Sequence, residues 1–377
     1  MWDQLLVGAA PGDAITRSAL LLRDALEELG PADVFSQHRE PGMEDLVRPL
    51  HELPARPNRQ RPLIFHASIG SWEVFQAVRD LHAPLVLVYH NFSPPEYFMD
   101  FAPAVADDLI RGRWELEHLR DRVRFAIADS AYNGDELTEL GYTDVTVVAP
   151  TPDIDRLDRV TPDVPMLRRI NSWGGGPLVL CVAQQLPHKR IERVLAAVAV
   201  LQQEFDPDAR LAFVGVDRFD AYSRALRAFA RTVGLREPHF LGRISDAELS
   251  SLYLRASAFV TLSEHEGFCV PAVEAMALGV PVVASARAAI PSTVADAGVL
   301  IEDPDDAVTV AGVLHRVLHD ETLRHIMIGR GVSRARVLSA ANSLPQLVDC
   351  LITHPAAWST DPAGATDPAG APVGGGS

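Results

Sequence analysis

The sequence predicts an α/β protein built from two doubly wound, parallel-sheet domains that face each other across a cleft. Three observations carry that reading. A chain of 377 residues, 47% of them hydrophobic, is too long for one ordinary α/β core and comfortable for two. Short apolar, β-rich runs alternate with helix-length segments throughout, as in parallel sheets whose crossover helices cover both faces. A Pro- and Asp-rich stretch at residues 150–176 breaks the alternation once, near the middle.

In the first half, strands are expected at residues 4–8, 33–36, 63–66, 85–90, 125–128 and 145–149, with helices such as 16–29 and 71–81 between them. After the break, strands are expected at 178–183, 211–214, 240–241, 258–262, 280–284 and 299–301. Helices fall near 190–203, 221–233, 246–256, 272–278 and 307–319. The division that follows is a first domain over 1–160, a hinge over 161–176 and a second domain over 177–342. A helix over 343–358 is placed to cross back to the first domain. The tail at 359–377, with its repeated TDPAGA, cannot bury apolar surface and is read as disordered.

Charge narrows the function. The net charge is −16, of which residues 1–165 carry −13. Nucleic-acid binding needs a basic face, and none is visible. Arg111, Arg113, Arg120, Arg122 and Arg124 are interleaved with Glu115, Glu117 and Asp121, the pattern of a solvated helix face. No apolar run reaches the ~18–20 residues that span a bilayer, although peripheral membrane contact stays open. The N-terminus has no basic segment of the signal-peptide kind. Cys181, Cys269 and Cys350 are widely spaced and lack a metal-ligand pattern, which suits a reducing cytoplasm. There is no His-Glu-x-x-His and no carboxylate cluster of metal-ligand type, so neither metal nor cofactor is expected. Among 33 arginines stands a single lysine, Lys189. It marks a place where a compact ammonium is wanted and a planar guanidinium does not serve.

The chemistry concentrates in residues 263–279, SEHEGFCVPAVEAMALG. A strand ends just before this segment, at the edge where open α/β sheets bind ligands. Gly267 permits a tight turn, and Pro271 suits the first helical position. The loop and helix start therefore offer backbone N–H groups and the positive end of a helix dipole to a diphosphate. Glu274 is placed to accept hydrogen bonds from a vicinal diol such as ribose. Glu266, in the preceding loop, is suited to sugar hydroxyls rather than phosphate.

The stretch EHEGFCVPAVEAMALGVPVVAS closely resembles the E-x7-E segment of retaining GT-B glycosyltransferases, specifically glycosyltransferase family 4. Residues 182–190 (VAQQLPHKR), 211–215 (LAFVG), 240–243 (FLGR) and 290–300 (IPSTVADAGVL) resemble further family segments in the same order. In the first half, 12–15 (GDAI) resembles the glycine loop after the first strand, and 88–91 (VYHN) the strand end that carries an active-site histidine. The resemblance implies two Rossmann-like domains and transfer of a hexosyl unit, with retention, from a UDP- or GDP-sugar to a sugar or glycoconjugate acceptor. It implies no metal.

Carried over by position, it puts Glu266 on the donor sugar, Glu274 on the ribose, Lys189 on the diphosphate and His90 across the cleft near the reacting sugar. Gly267, Phe268, Cys269, Val270 and Gly12 complete the diphosphate cradle. Two departures stand out. Gln184 replaces the usual arginine five residues before the lysine, leaving Arg190 or another cation to compensate. Ser292 follows Pro291 where the family commonly has glutamate.

On the acceptor side the candidates are Asp13, His66, Asn91 and Tyr97. His66 either lines that side or is a satisfied structural histidine. Asp129 and Ser130 resemble a short family motif with an acceptor or hinge role. Two rivals remain at this stage, with a nucleotide-sugar epimerase of the same fold as a third, weaker one. An NAD-dependent oxidoreductase needs a glycine fingerprint that VGAAPGDA does not supply. A nucleotide-sugar-binding subunit without turnover has Gln184 and Ser292 as its only support.

Overall fold

The structure is a computed structural model that describes residues 2–54 and 62–354. The expected tail at 359–377 lies outside those residues, as does the end of the helix expected over 343–358.

The first sheet has seven strands: β1 (Trp2–Ala9), β2 (Ala32–Arg39), β3 (Arg48–Pro49), β4 (Leu63–Ala67), β5 (Leu85–Tyr89), β6 (Val123–Ala128) and β7 (Val145–Val147). Their spatial order is β3-β2-β1-β4-β5-β6-β7, with every ladder parallel. The second sheet has six: β8 (Leu178–Val182), β9 (Arg210–Val214), β10 (His239–Phe240), β11 (Ala258–Thr261), β12 (Val282–Ser285) and β13 (Val299–Ile301). Their order is β10-β9-β8-β11-β12-β13, again parallel. Strands covered on both faces need no apolar–polar alternation. β4 and β5 accordingly bury all five of their residues.

Each sheet reverses its winding once, between β1 and β4 and between β8 and β11. Loops leaving the two strands at such a reversal diverge to opposite faces and open a crevice at the strands' C-terminal ends.

The stretch read as a hinge is built into the second lobe. Helix Val164–Ser172 lies within it, helix Arg156–Arg159 at the end of the expected first domain, and Leu157, Met166 and Ile170 all pack into the second lobe's core. The Pro and Asp residues counted as breakers are helix-start signals: Asp163 caps the second helix through the Met166 N–H, and Pro165 sits in its first turn. Helix Pro103–Leu119 ends before Arg120, so the arginine-rich stretch spans a helix, a short turn and β6.

The chain passes between the lobes at residues 150–152 and again near 340. The Ala340 N–H donates to the Pro152 carbonyl at 3.1 Å, and the Ser343 hydroxyl to that of Pro150 at 3.3 Å. Helix Ala340–Thr353 then lays Leu347 and Leu351 against Trp2, Leu22 and Leu26 of the first lobe. Among the described residues no helix is long and apolar enough to cross a membrane.

Candidate active site

The two reversals face one another across a cleft of about 840 Å³, within the range of small-molecule sites. Twelve of the expected residues line it: Gly12, Asp13, His90, Asn91, Gln184, Lys189, Glu266, Gly267, Phe268, Cys269, Val270 and Glu274. Arg190, His66 and Tyr97 do not.

The loop after β11 presents Glu266 to Lys189, whose ammonium nitrogen stands 2.7 Å from Oε2. Oε1 of the same carboxylate accepts from the Ser263 hydroxyl at 2.9 Å. The chain's one ammonium and its loop carboxylate thus meet where the loops after β8 and β11 converge. Cys269 follows in the left-handed region, with φ 78°, and helix Val270–Ala277 begins with no side chain capping it. Its start, at residues 269–271, lines the cleft, where the helix dipole favours an anion. Gly12, at φ 78°, turns the loop after β1, and a β-carbon there would meet nothing within 4 Å, which leaves its backbone open to a ligand.

Glu274 lies in the second turn of its helix and is buried. Its Oε1 accepts from Arg156 at 2.6 Å and its Oε2 from the Tyr253 hydroxyl at 3.1 Å. Arg156 also approaches Asp246, at 3.4 Å. Sequence reasoning missed Arg156, because it lies in the Pro- and Asp-rich break at 150–176 and its partner is 118 positions away. Arg17, Arg218 and Arg243 also line the cleft and were missed. Arg190 does not compensate for Gln184: its guanidinium lies over the Tyr97 ring, 5.3 Å from the centroid, and pairs with Glu192 at 3.4 Å. A left-handed backbone at Arg190, φ 48°, turns it out of line with Lys189.

In the first lobe the polar residues are mostly engaged with one another. Asp13 caps helix Ala14–Glu27 through the Thr16 N–H at 2.8 Å. Asn91 donates to Glu136 at 2.7 Å and to Asn133 at 3.0 Å. Burial foremost raises the Glu136 carboxyl above the usual range. His66 is buried in β4 below the cleft floor, and burial drives its imidazole well below the usual histidine range. His188 and His265 flank Lys189 and Glu266 in sequence and line the cleft. Burial, then the Lys189 charge, lowers both, His265 to about 4.

The lobes touch at several points. A β-carbon on Gly267 would come within 2.8 Å of the His90 carbonyl oxygen and of the Asn91 β-carbon, so only glycine fits that approach. Glu40 faces Arg218 and Arg243, each at 3.4 Å. Phe98 packs edge-on to Phe219, and Phe101 to Tyr222.

Two doubly wound lobes with their reversals facing across one cleft are the GT-B fold, and solved structures share it over nearly the whole chain. Sucrose-phosphate synthase from Thermosynechococcus elongatus superposes with a TM-score of 0.74 at 20% identity, covering 93% of this chain and 98% of that one. HepE of Anabaena, solved in complex with UDP-glucose, gives 0.73 at 18% identity over 93% and 99%. Residues 165–334, within the second lobe, match the family described as Glycosyl transferases group 1. O-antigen chain mannosyltransferase B of Escherichia coli is 31% identical over 189 residues, 49% of this chain and 48% of that protein. Sulfoquinovosyl transferase SQD2 of Arabidopsis thaliana is 27% identical over 71% of this chain and 52% of its own length. The chain thus spans about half the length of these curated relatives.

Proposed function

We propose that this protein is a retaining glycosyltransferase that moves a hexosyl unit from a UDP- or GDP-sugar to a hydroxyl of a sugar or glycoconjugate acceptor, in the cytoplasm and without a metal. The observation that carries the reading is the Lys189–Glu266 pair at 2.7 Å, set between the loops of one reversal and beside an uncapped helix start. A diphosphate entering there draws the ammonium to its oxygens, which frees Glu266 to accept from the sugar hydroxyls. Positive charge fixed where the leaving group gains negative charge lowers the barrier to its departure.

In the reaction the bond from the anomeric carbon to the phosphate oxygen breaks and one to the acceptor oxygen forms on the same face. The acceptor proton passes to the departing phosphate oxygen. Gly267, Phe268, Cys269, Val270 and Gly12 offer backbone to the diphosphate, Gln184 one neutral hydrogen bond, and Glu274 its carboxylate to the ribose. Ribose binding then competes with Arg156 and Tyr253. Acceptor binding falls to the first lobe around Asp13 and Asn91.

The test is thermal stabilisation with UDP, GDP, ADP and their sugars, followed by an assay for nucleoside diphosphate released in the presence of acceptor sugars. Selective stabilisation by one nucleotide sugar, with acceptor-dependent release, is expected. Stabilisation by NADH alone would sink the reading.

A further inference from the structure

Four polar side chains form a line across adjacent strands of the first sheet, directly beneath the cleft. Gln4 lies in β1, His66 in β4, His90 immediately after β5 and Asp129 immediately after β6, and these four strands are neighbours in that order. The Gln4 amide nitrogen donates to the Ala19 carbonyl at 3.0 Å. Its Oε1 stands 2.9 Å from His66 Nε2, His66 Nδ1 stands 2.9 Å from His90 Nε2, and His90 Nδ1 stands 2.7 Å from Asp129 Oδ2. The two rings are 4° from parallel, with centroids 5.2 Å apart, as an in-plane N–H···N bond between imidazoles requires. Gln4 and His66 are fully buried, and the side chains of His90 and Asp129 are only 4% and 8% exposed.

Donors and acceptors along this line can be assigned from one end. Ala19 offers a carbonyl, which only accepts, so the Gln4 NH2 must face it and the Gln4 oxygen must face His66. His66 therefore carries its proton on Nε2, and its Nδ1 is a bare lone pair. Burial keeps His66 neutral, so it has no second proton to give. His90 Nε2 must then be the donor to His66. Its Nδ1 faces a carboxylate, and imidazole is a stronger base than carboxylate, so the proton between them belongs to the ring. With both rings neutral and Asp129 ionised, every assignment sets two lone pairs, or two oxygens, face to face at about hydrogen-bond distance. Moving the extra proton to His66 is opposed by its burial, and moving it to Asp129 by the weaker basicity of carboxylate.

We infer that His90 is a doubly protonated imidazolium, paired with Asp129 and locked by the neutral His66–Gln4 chain. On the glycosyltransferase reading, on which this consequence rests, His90 is a positioning residue and not the base for the acceptor hydroxyl. Both of its protons are committed inside the protein, and it has no lone pair to offer. The acceptor proton must leave by the phosphate oxygen. What His90 presents to the cleft is its backbone, whose carbonyl stands where Gly267 of the other lobe closes down. The line of side chains fixes the position of that carbonyl.

The experiment is NMR of the full chain, without nucleotide, 15N-labelled at the histidine ring nitrogens, at about pH 7.5. The resonance lost in His90→Gln should show both ring nitrogens protonated, while His66 is neutral with its proton on Nε2. Asp129→Asn, nearly the same in shape, should abolish the doubly protonated ring. Gln4→Met removes the acceptor that fixes His66 and should let its proton move to Nδ1, leaving His90 neutral. A neutral His90 in the unaltered chain, or a doubly protonated one that survives both replacements, overturns the inference. In the transfer assay Asp129→Asn should lower kcat about 10-fold or more with KM changed less than about twofold. Unchanged kcat overturns the positioning role. Failure of transfer in the unaltered chain overturns the proposed function, while the NMR result on the free protein still decides the charge of His90.

Discussion

At the winding reversal of the second lobe, Lys189 and Glu266 hold each other at 2.7 Å in the cleft, next to helix N–H groups that no side chain caps. On the first lobe's side of the cleft, in the loops after β1 and β5, Asp13, His90 and Asn91 spend their polar atoms on the Thr16 amide, Asp129 and Glu136. The sheets are wound alike, so topology does not explain the difference. A lobe that binds a charged ligand must keep groups that can exchange an internal partner for the ligand. A lobe that offers a surface against which the other closes needs its loops held in place. The comparison teaches that equivalent crevices can be used for exchange on one side and for rigidity on the other.

If the second lobe works by exchange, its lone ammonium is the most sensitive atom in the molecule. Lys189→Ala and Glu266→Gln are each expected to lower kcat on the order of 100-fold or more, the scale of a lost transition-state donor. Lys189→Arg should not restore the rate, because a planar fork does not replace a compact charge. Full activity in any of these variants would break the contrast at its root. Next in size, Gly267→Val drives a side chain into the His90 carbonyl and the Asn91 β-carbon. We expect a loss of about 10- to 100-fold in kcat from displaced lobes, with nucleoside diphosphate affinity by calorimetry retained. Equal loss of affinity would show that the loop, rather than lobe closure, had been damaged.

The same contrast decides what could be read from the sequence. Both sheets apart from the two-residue β3, and the loop-and-helix at residues 263–279, were legible because their signals are local: apolar runs, a glycine turn, a proline at the helix start. The single lysine needed only counting. Arg156, Gln4 and Arg243 were invisible because they reach partners 118, 62 and 203 positions away, and no spacing encodes such a meeting. His66 was correctly placed in a strand, yet whether it faced ligand or core depended on Gln4 one strand over. The supposed hinge failed for another reason. Pro and Asp terminate one element and begin the next, and only the apolar pair Met166 and Ile170, four apart, distinguished a helix from a linker.

Smaller effects sharpen the comparison through stability. Arg156→Ala leaves one oxygen of the buried Glu274 without its donor, which should cost about 3–5 kcal/mol in urea unfolding. The double variant Arg156→Met, Glu274→Leu should regain most of that loss while losing affinity for nucleotide. If the double variant binds as before, Glu274 does not serve the ribose. Acid supplies a further test. His66, His188 and His265 are held by burial below the ordinary histidine range, so the unfolded chain binds protons that the folded one refuses. Stability must therefore fall as pH drops from about 6.5 towards the about 4 of His265, at about 1.4 kcal/mol per unit of separation between unfolded and folded values. His265→Gln should flatten the fall in melting temperature across that window; an unchanged slope would show that other groups cause it.

The smallest effect is expected where the lobes meet through solvent. Glu40 of the first lobe faces Arg218 and Arg243 of the second, each at 3.4 Å, and all three side chains are more than a third exposed. Such pairs contribute no more than about 1 kcal/mol, and salt screens them over about 8 Å at physiological ionic strength. Glu40→Gln should thus leave the melting temperature within error. Its effect belongs to the balance between open and closed cleft, where a fraction of a kcal/mol still shifts populations measurably. Small-angle scattering at low salt should show a slightly larger radius of gyration for the variant, and the difference should vanish as salt is added. A difference that persisted in high salt would move the hold between the lobes from these charges to the apolar contacts of Phe98 with Phe219 and Phe101 with Tyr222.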